Sequence, residues 1–165
     1  MARDTLKPLA GRIGARMKER KLKLATAESC TGGWIAQALT SVAGSSEWFE
    51  RGFVTYSNEA KRELLGVRPH TLSRHGAVSR ETAKEMAAGA LARSRAQVAV
   101  AVTGVAGPGG GTKAKPVGTV CFAWSRKRGA VESVTRHFRG GRERVRLQSV
   151  VFALKGLLER LEEAG

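Results

Sequence analysis

Residues 97–104, Gln-Val-Ala-Val-Ala-Val-Thr-Gly, alternate valine and alanine without a single charge. A strand with one wet face alternates apolar with polar residues. This run is apolar on both faces, the signature of a strand buried between two layers. The segments around it repeat with a helical period, so helices are available to cover both faces. The run ends in GVAGPGGGTKAKP, residues 104–116, a glycine-rich loop that is either a mobile surface connection or, as loops of this length often are, a functional segment.

The rest of the chain supplies the other layers. Residues 4–20 place Leu6, Leu9, Ile13 and Met17 three or four apart, an amphipathic helix. LKLATA, residues 22–27, reads as a strand, and the segment from Trp34 to Val42 as a helix broken by Gly44. Residues 52–57 predict a second strand, followed by a helix over 59–65 capped by Ser57-Asn58 and closed by Gly66 and Pro69. Ser79 caps a longer helix with Ala83, Met86, Ala87, Ala90 and Leu91 on its apolar face. GTVCFAWS and AVESVTRHF predict a hairpin about a basic turn, and residues 147–161 a final amphipathic helix. This alternation predicts an α/β fold: a single domain spanning residues 1–165, an α/β/α layered sandwich on a mixed, partly parallel sheet.

In open α/β sheets, ligands bind beyond the carboxyl ends of the strands. Three such ends are polar or glycine-rich: AESCTGG (27–33), Tyr56-Ser57-Asn58, and residues 103–111. Their convergence predicts one cleft that holds a hydroxyl, a phenol and a backbone cradle. Ser29 sits at a strand-to-helix junction, with Thr31, Gly32 and Gly33 in the turn and first helical residues. A helix start presents unpaired N–H groups suited to an anion or a developing oxyanion. On this motif alone, Ser29 or Thr31 as a simple helix cap is the stronger reading.

A serine nucleophile needs a base. His70, His75 and His137 have no motif context that links them to Ser29, and AESCTGG is not a G-x-S-x-G elbow. Lys61 is the alternative, provided that burial or a neighbouring cation removes its proton; one more surface lysine is the commoner case. Cys30 faces the core by its position beside Ser29. Arg142 and Arg146, one turn apart, are either solvated charge or a phosphate clamp. The glycine-rich loop fits neither G-x-x-x-x-G-K-[ST] nor G-x-G-x-x-G, and no His, Cys or carboxylate cluster has ligand spacing. No metal and no cofactor are expected.

The formal net charge is +15, with basic residues concentrated at 3–23 and 126–146. Charge of this sign attracts phosphate, yet no nucleic-acid-binding module accompanies it. Nonspecific, salt-sensitive contact with nucleic acid is all that it implies. There is no stretch long enough for a membrane span and no visible signal peptide. Cys30 and Cys121 lack metal or redox spacing, so a cytoplasmic protein with reduced thiols is expected. Assembly into a symmetric homo-oligomer is expected from the size class.

AESCTGG, GFVTYSNEAK (52–61), HGAVS (75–79), TGVAGPGGG (103–111) and KPVGTV (115–120) occur in the order and spacing of the CinA C-terminal domain family, which the chain resembles over nearly its whole length. The resemblance implies hydrolysis of the carboxamide of nicotinamide mononucleotide, a small nucleotide substrate, to nicotinate mononucleotide and ammonia in pyridine-nucleotide salvage. It implies Ser-Lys chemistry: Ser29 attacks, Lys61 moves the proton, and Tyr56 assists by hydrogen bonding to Ser29 or Lys61. Backbone N–H groups around Thr31, Gly32 and Gly33 would hold the oxyanion. Thr103, Gly104, Gly107 and Gly109, with Arg142 or Arg146, would hold ribose and phosphate. Two other readings stand beside it: a nucleic-acid-associated, competence-related protein, and an amidohydrolase or pyrophosphatase acting on a related nucleotide.

Overall fold

A computed structural model describes residues 2–163. Its elements in chain order are α1 (Leu6–Glu19), β1 (Leu24–Glu28), α2 (Trp34–Thr40), β2 (Phe49–Val54), α3 (Asn58–Leu65), α4 (Pro69–His75), α5 (Arg80–Ala92), β3 (Val98–Gly104), β4 (Thr119–Arg126), β5 (Val131–His137) and α6 (Arg142–Glu163). The five strands form one sheet in the order β2-β1-β3-β4-β5. β2, β1 and β3 are parallel, while β4 and β5 run antiparallel to their neighbours. The sheet is therefore mixed, as the alternating helix and strand patterns predict.

The Val-Ala run explains the layering. Val98, Val100 and Val102 face one side with Leu24, where α1, α2 and α6 supply Ile13, Leu39 and Leu154. Ala99 and Ala101 face the other with Ala25, Ala27 and Ala123 against Ala83, Met86, Ala87 and Ala90 of α5. The small side chains on this second face let α5 lie close to the sheet. Gly89 lets α5 approach α3 too, because a Cβ there would overlap the carbonyl of Leu65.

Several boundaries differ from the sequence reading. β2 begins at Phe49 and leaves the sheet after Val54, whereas its pattern predicts residues 52–57. Thr55 still donates its N–H to Glu28 O at 2.8 Å, but Ser57 must turn away to cap α3, which it does by accepting from Ala60 N–H. Pro69 does not end a helical segment; it begins α4 as the first helical residue, where its missing N–H costs nothing. The glycine-rich residues between β3 and β4 contain no helix or strand.

Because β1 lies between β2 and β3, the connections from its two neighbours run along opposite faces of the sheet. The carboxyl ends of β1, β2 and β3 thereby open onto one crevice, the topological switch point at which such sheets bind ligands.

Candidate active site

Ser29 is the first residue after β1 and remains tied to the sheet, its N–H donating to Val102 O at 3.0 Å. The chain then turns through Cys30–Gly33 before α2. Gly32 and Gly33 take left-handed backbone angles, φ +61° and +101°, which side-chain-bearing residues rarely adopt. Gly33 is the residue preceding α2 and not part of its first turn.

The amino end of α2 already has its anion. Glu28 is fully buried, and its Oε1 accepts from the Thr31 hydroxyl at 2.6 Å and from Ile35 N–H at 2.8 Å; Oε2 accepts from Ala36 N–H at 3.0 Å. The helix-terminal donors that the motif offers to a ligand are therefore bonded to the neighbouring side chain. Gly32 N–H is also taken, by Ser29 O at 2.9 Å. Thr31, Gly32 and Gly33 do not line the crevice.

Lys61 reaches Ser29 from α3. Ser57 caps that helix and sets its start, which places Lys61 on the face turned towards β1. The lysine is 1% exposed and Ser29 8%. Lys61 Nζ donates to Ser29 Oγ at 3.0 Å and to Thr55 O at 2.9 Å. Burial lowers the lysine's pKa, since a low-dielectric site penalises the ammonium; the nearby Cys30 acts in the opposite sense and does not outweigh it. Burial also pushes the Cys30 thiol up to about 12, leaving it protonated and inert as a nucleophile at neutral pH.

The cavity over this pair measures about 290 Å³. Ser29, Lys61, Tyr56, Thr103, Gly104, Gly107, Gly109 and Arg142 all line it. Thr103 is buried, and its hydroxyl donates to Ala77 O at 2.9 Å, which fixes the 76–79 segment against β3. Gly104 cannot carry a side chain, for a Cβ would fall 2.8 Å from Val120 Cγ2 and 2.9 Å from Thr119 O.

Tyr56 is 60% exposed and does not bond to Ser29 or Lys61. Its hydroxyl accepts from Arg142 Nη2 at 2.8 Å, while Arg142 Nη1 donates to Gly107 O at 2.7 Å. Thr55, just past the end of β2, is fully buried, while Tyr56 next to it points out to the rim. Arg142 thus bridges β2's end and the glycine loop across the mouth of the cavity. Arg146 is absent from its lining. It donates to Cys30 O at 3.1 Å and Thr31 O at 3.2 Å and lies over the Trp34 ring, bracing the turn behind Ser29.

Sequence reasoning missed three contributors. Thr55 gives only its carbonyl, which no side-chain pattern announces. Ala77 and Val78 line the cavity through a loop distant in sequence, whereas Asn58, at the first position of α3, lines it as part of the expected Tyr56-Ser57-Asn58 end. Glu28 belongs to the AESCTGG motif with a structural role, in keeping with a carboxylate at the end of an apolar strand, which must find partners when buried.

Known proteins share this arrangement of elements. Nicotinamide-nucleotide amidohydrolase PncC of Escherichia coli strain K12 is 51% identical over 162 residues, 97% of each chain. The Pseudomonas putida protein of that name is 52% identical over 156 residues, covering 94% of this chain and 97% of its own. The crystal structure of the competence/damage inducible protein CihA from Agrobacterium tumefaciens superposes with a TM-score of 0.91 at 52% identity, over 95% of both chains. Residues 6–161 match the family described as the CinA C-terminal domain. With the motifs, the sheet order and these likenesses in agreement, the chain belongs to the CinA C-terminal domain family.

Proposed function

We propose that this protein hydrolyses the carboxamide of a nicotinamide nucleotide, nicotinamide mononucleotide, releasing ammonia and nicotinate mononucleotide. The observation that carries the reading is the 3.0 Å contact between Ser29 Oγ and a buried lysine whose pKa is lowered. The names of the PncC relatives supply the substrate class.

The neutral Lys61 amine keeps its donor bond to Thr55 O and turns its lone pair to Ser29. Ser29 Oγ attacks the carboxamide carbon as its proton passes to Lys61 Nζ. The resulting oxyanion needs donors in place beforehand. Thr31, Gly32 and Gly33 do not line the cavity and do not supply them. The C–N bond then breaks, Lys61 returns the proton to the departing nitrogen, and ammonia leaves. Water adds to the Ser29 ester with Lys61 again taking a proton; cleavage of the ester bond restores the Ser29 hydroxyl and frees the carboxylate product. Arg142 at the cavity mouth offers a guanidinium fork to the substrate's phosphate. We infer that this chemistry serves pyridine-nucleotide salvage.

The test is ammonia release from nicotinamide mononucleotide by wild type, Ser29→Ala and Lys61→Ala. Activity in wild type that falls by at least about 10³-fold in both variants, with the fold intact, supports the reading. No release by folded wild type overturns the amidase assignment. Activity retained in Ser29→Ala overturns the acyl-enzyme.

A further inference from the structure

Two of the sequence motifs, residues 75–79 and 115–120, have no part in the Ser29–Lys61 contact, yet they meet. Lys115 Nζ donates to His75 O at 2.5 Å, and Thr103 Oγ1 holds Ala77 O from the other side. The two segments form a wall between cavities, with Val78 lining both. Behind it lies a second cavity of about 410 Å³, bounded by the start of α5, the loop before β4, and strands β4 and β5.

The chemistry of this second cavity is one-sided. Arg74, Arg80 and Lys115 contribute three permanent or near-permanent cations, and the His75 and His137 rings add nitrogen donors. Glu81 is the only carboxylate in the lining, 3.8 Å from His75 Nδ1. His137 is oriented by Thr119 Oγ1, 3.2 Å from its Nδ1. Among the described residues, neither Arg74 nor Arg80 has a hydrogen-bond or ion-pair partner, unlike Arg142 and Arg146. Two guanidinium forks and an ammonium around one hollow, largely uncompensated, match the oxygens of a phosphate group.

We propose that this second cavity is a binding site for a phosphate-type anion, held by Arg74, Arg80 and Lys115. It lies on the far side of the wall from Ser29 and does not depend on the amidase reading. Unlike the diffuse surface charge, the site is concave and takes its cations from α4, α5 and the loop before β4. A bound anion would therefore contact three separate segments at once.

Calorimetric titration at fixed ionic strength tests this, with inorganic diphosphate as the probe and ribose 5-phosphate in a second series. The proteins are wild type, Arg74→Gln/Arg80→Gln and Arg142→Gln. Diphosphate is expected to bind wild type and to lose at least about tenfold in affinity in the double variant; Arg142→Gln removes only binding at the separate Ser29 cavity and leaves the component that depends on Arg74 and Arg80. Ribose 5-phosphate with the same dependence on Arg74 and Arg80 supports the site and assigns it to phosphorylated metabolites. Diphosphate binding alone supports it as a site for free phosphates. Binding unchanged in the double variant, all binding lost in Arg142→Gln, or no binding to wild type by either probe overturns the proposal. The readout is binding, so failure of the amidase assay leaves its outcome untouched.

Discussion

Lys61 Nζ and Ser29 Oγ are 3.0 Å apart, although 32 positions separate them in the chain. The lysine is held between Thr55 O and the serine, with Nζ 2.9 Å from the carbonyl. A cation kept this far from water is under pressure to lose its proton, and the hydroxyl is positioned to supply the replacement.

The pH dependence follows with a definite sign. Burial lowers the pKa of Lys61 in the native protein relative to the ordinary lysine value of 10.5. Between those two values the unfolded chain binds one more proton than the native one, so this group's contribution to stability rises with pH across that window. Below the native value the full penalty of burying the ammonium is present; above 10.5 it is gone. Accordingly, kcat/KM should rise with unit slope and level off at a pH below 10.5. In parallel urea titrations, wild type should gain stability relative to Lys61→Met as the pH rises through the window. A decline relative to Lys61→Met would show that the site favours the ammonium.

Glu28 is expected to matter for the scaffold of the serine turn. Its carboxylate accepts from two α2 N–H groups and the Thr31 hydroxyl in a fully buried position. Glu28→Ala leaves those donors unpaired and should destabilise the protein by about 2–4 kcal/mol in urea unfolding. A loss under about 0.5 kcal/mol would mean that the carboxylate does not hold the helix.

Tyr56 and Arg142 should behave as a unit. Tyr56→Phe removes the acceptor that receives Arg142 Nη2, and Arg142→Ala removes the fork itself. Loss of a charged contact to substrate is expected to raise KM about tenfold in Arg142→Ala, with kcat changed less. Tyr56→Phe should shift the same parameter by a smaller factor, and the double variant should fall short of the product of the two. A large fall in kcat for Tyr56→Phe alone would instead place the phenol in the proton transfers.

Two glycines in helices should respond in opposite directions. A Cβ at Gly89 would overlap the Leu65 carbonyl, so Gly89→Ala must push α5 off α3, at about 1–3 kcal/mol. Gly11 lies inside α1 with nothing within 4 Å of an added Cβ. Gly11→Ala should stabilise by about 0.5–1 kcal/mol through helix propensity. Thermal melting of both variants checks the pair.

The sequence by itself determined the layered α/β class, because alternation between helical and strand periods is written in which side chains are apolar. Residues 97–104 could only be a strand covered on both faces. It also marked the three strand ends, since breaking a ladder calls for glycine or polar residues. Thr103, Gly104 and Arg142 line the cavity.

Only the tertiary structure decided which polar groups face one another. Strand order brought Ser29 and Lys61 together, because pairing between β1 and β2 is a long-range event that no local pattern encodes. The same packing turned Tyr56 towards Arg142, aimed Arg146 at the backbone behind the serine, and gave the amino end of α2 to Glu28. Side-chain direction and competition among neighbouring acceptors settle such pairings, and both depend on contacts between residues far apart in the chain.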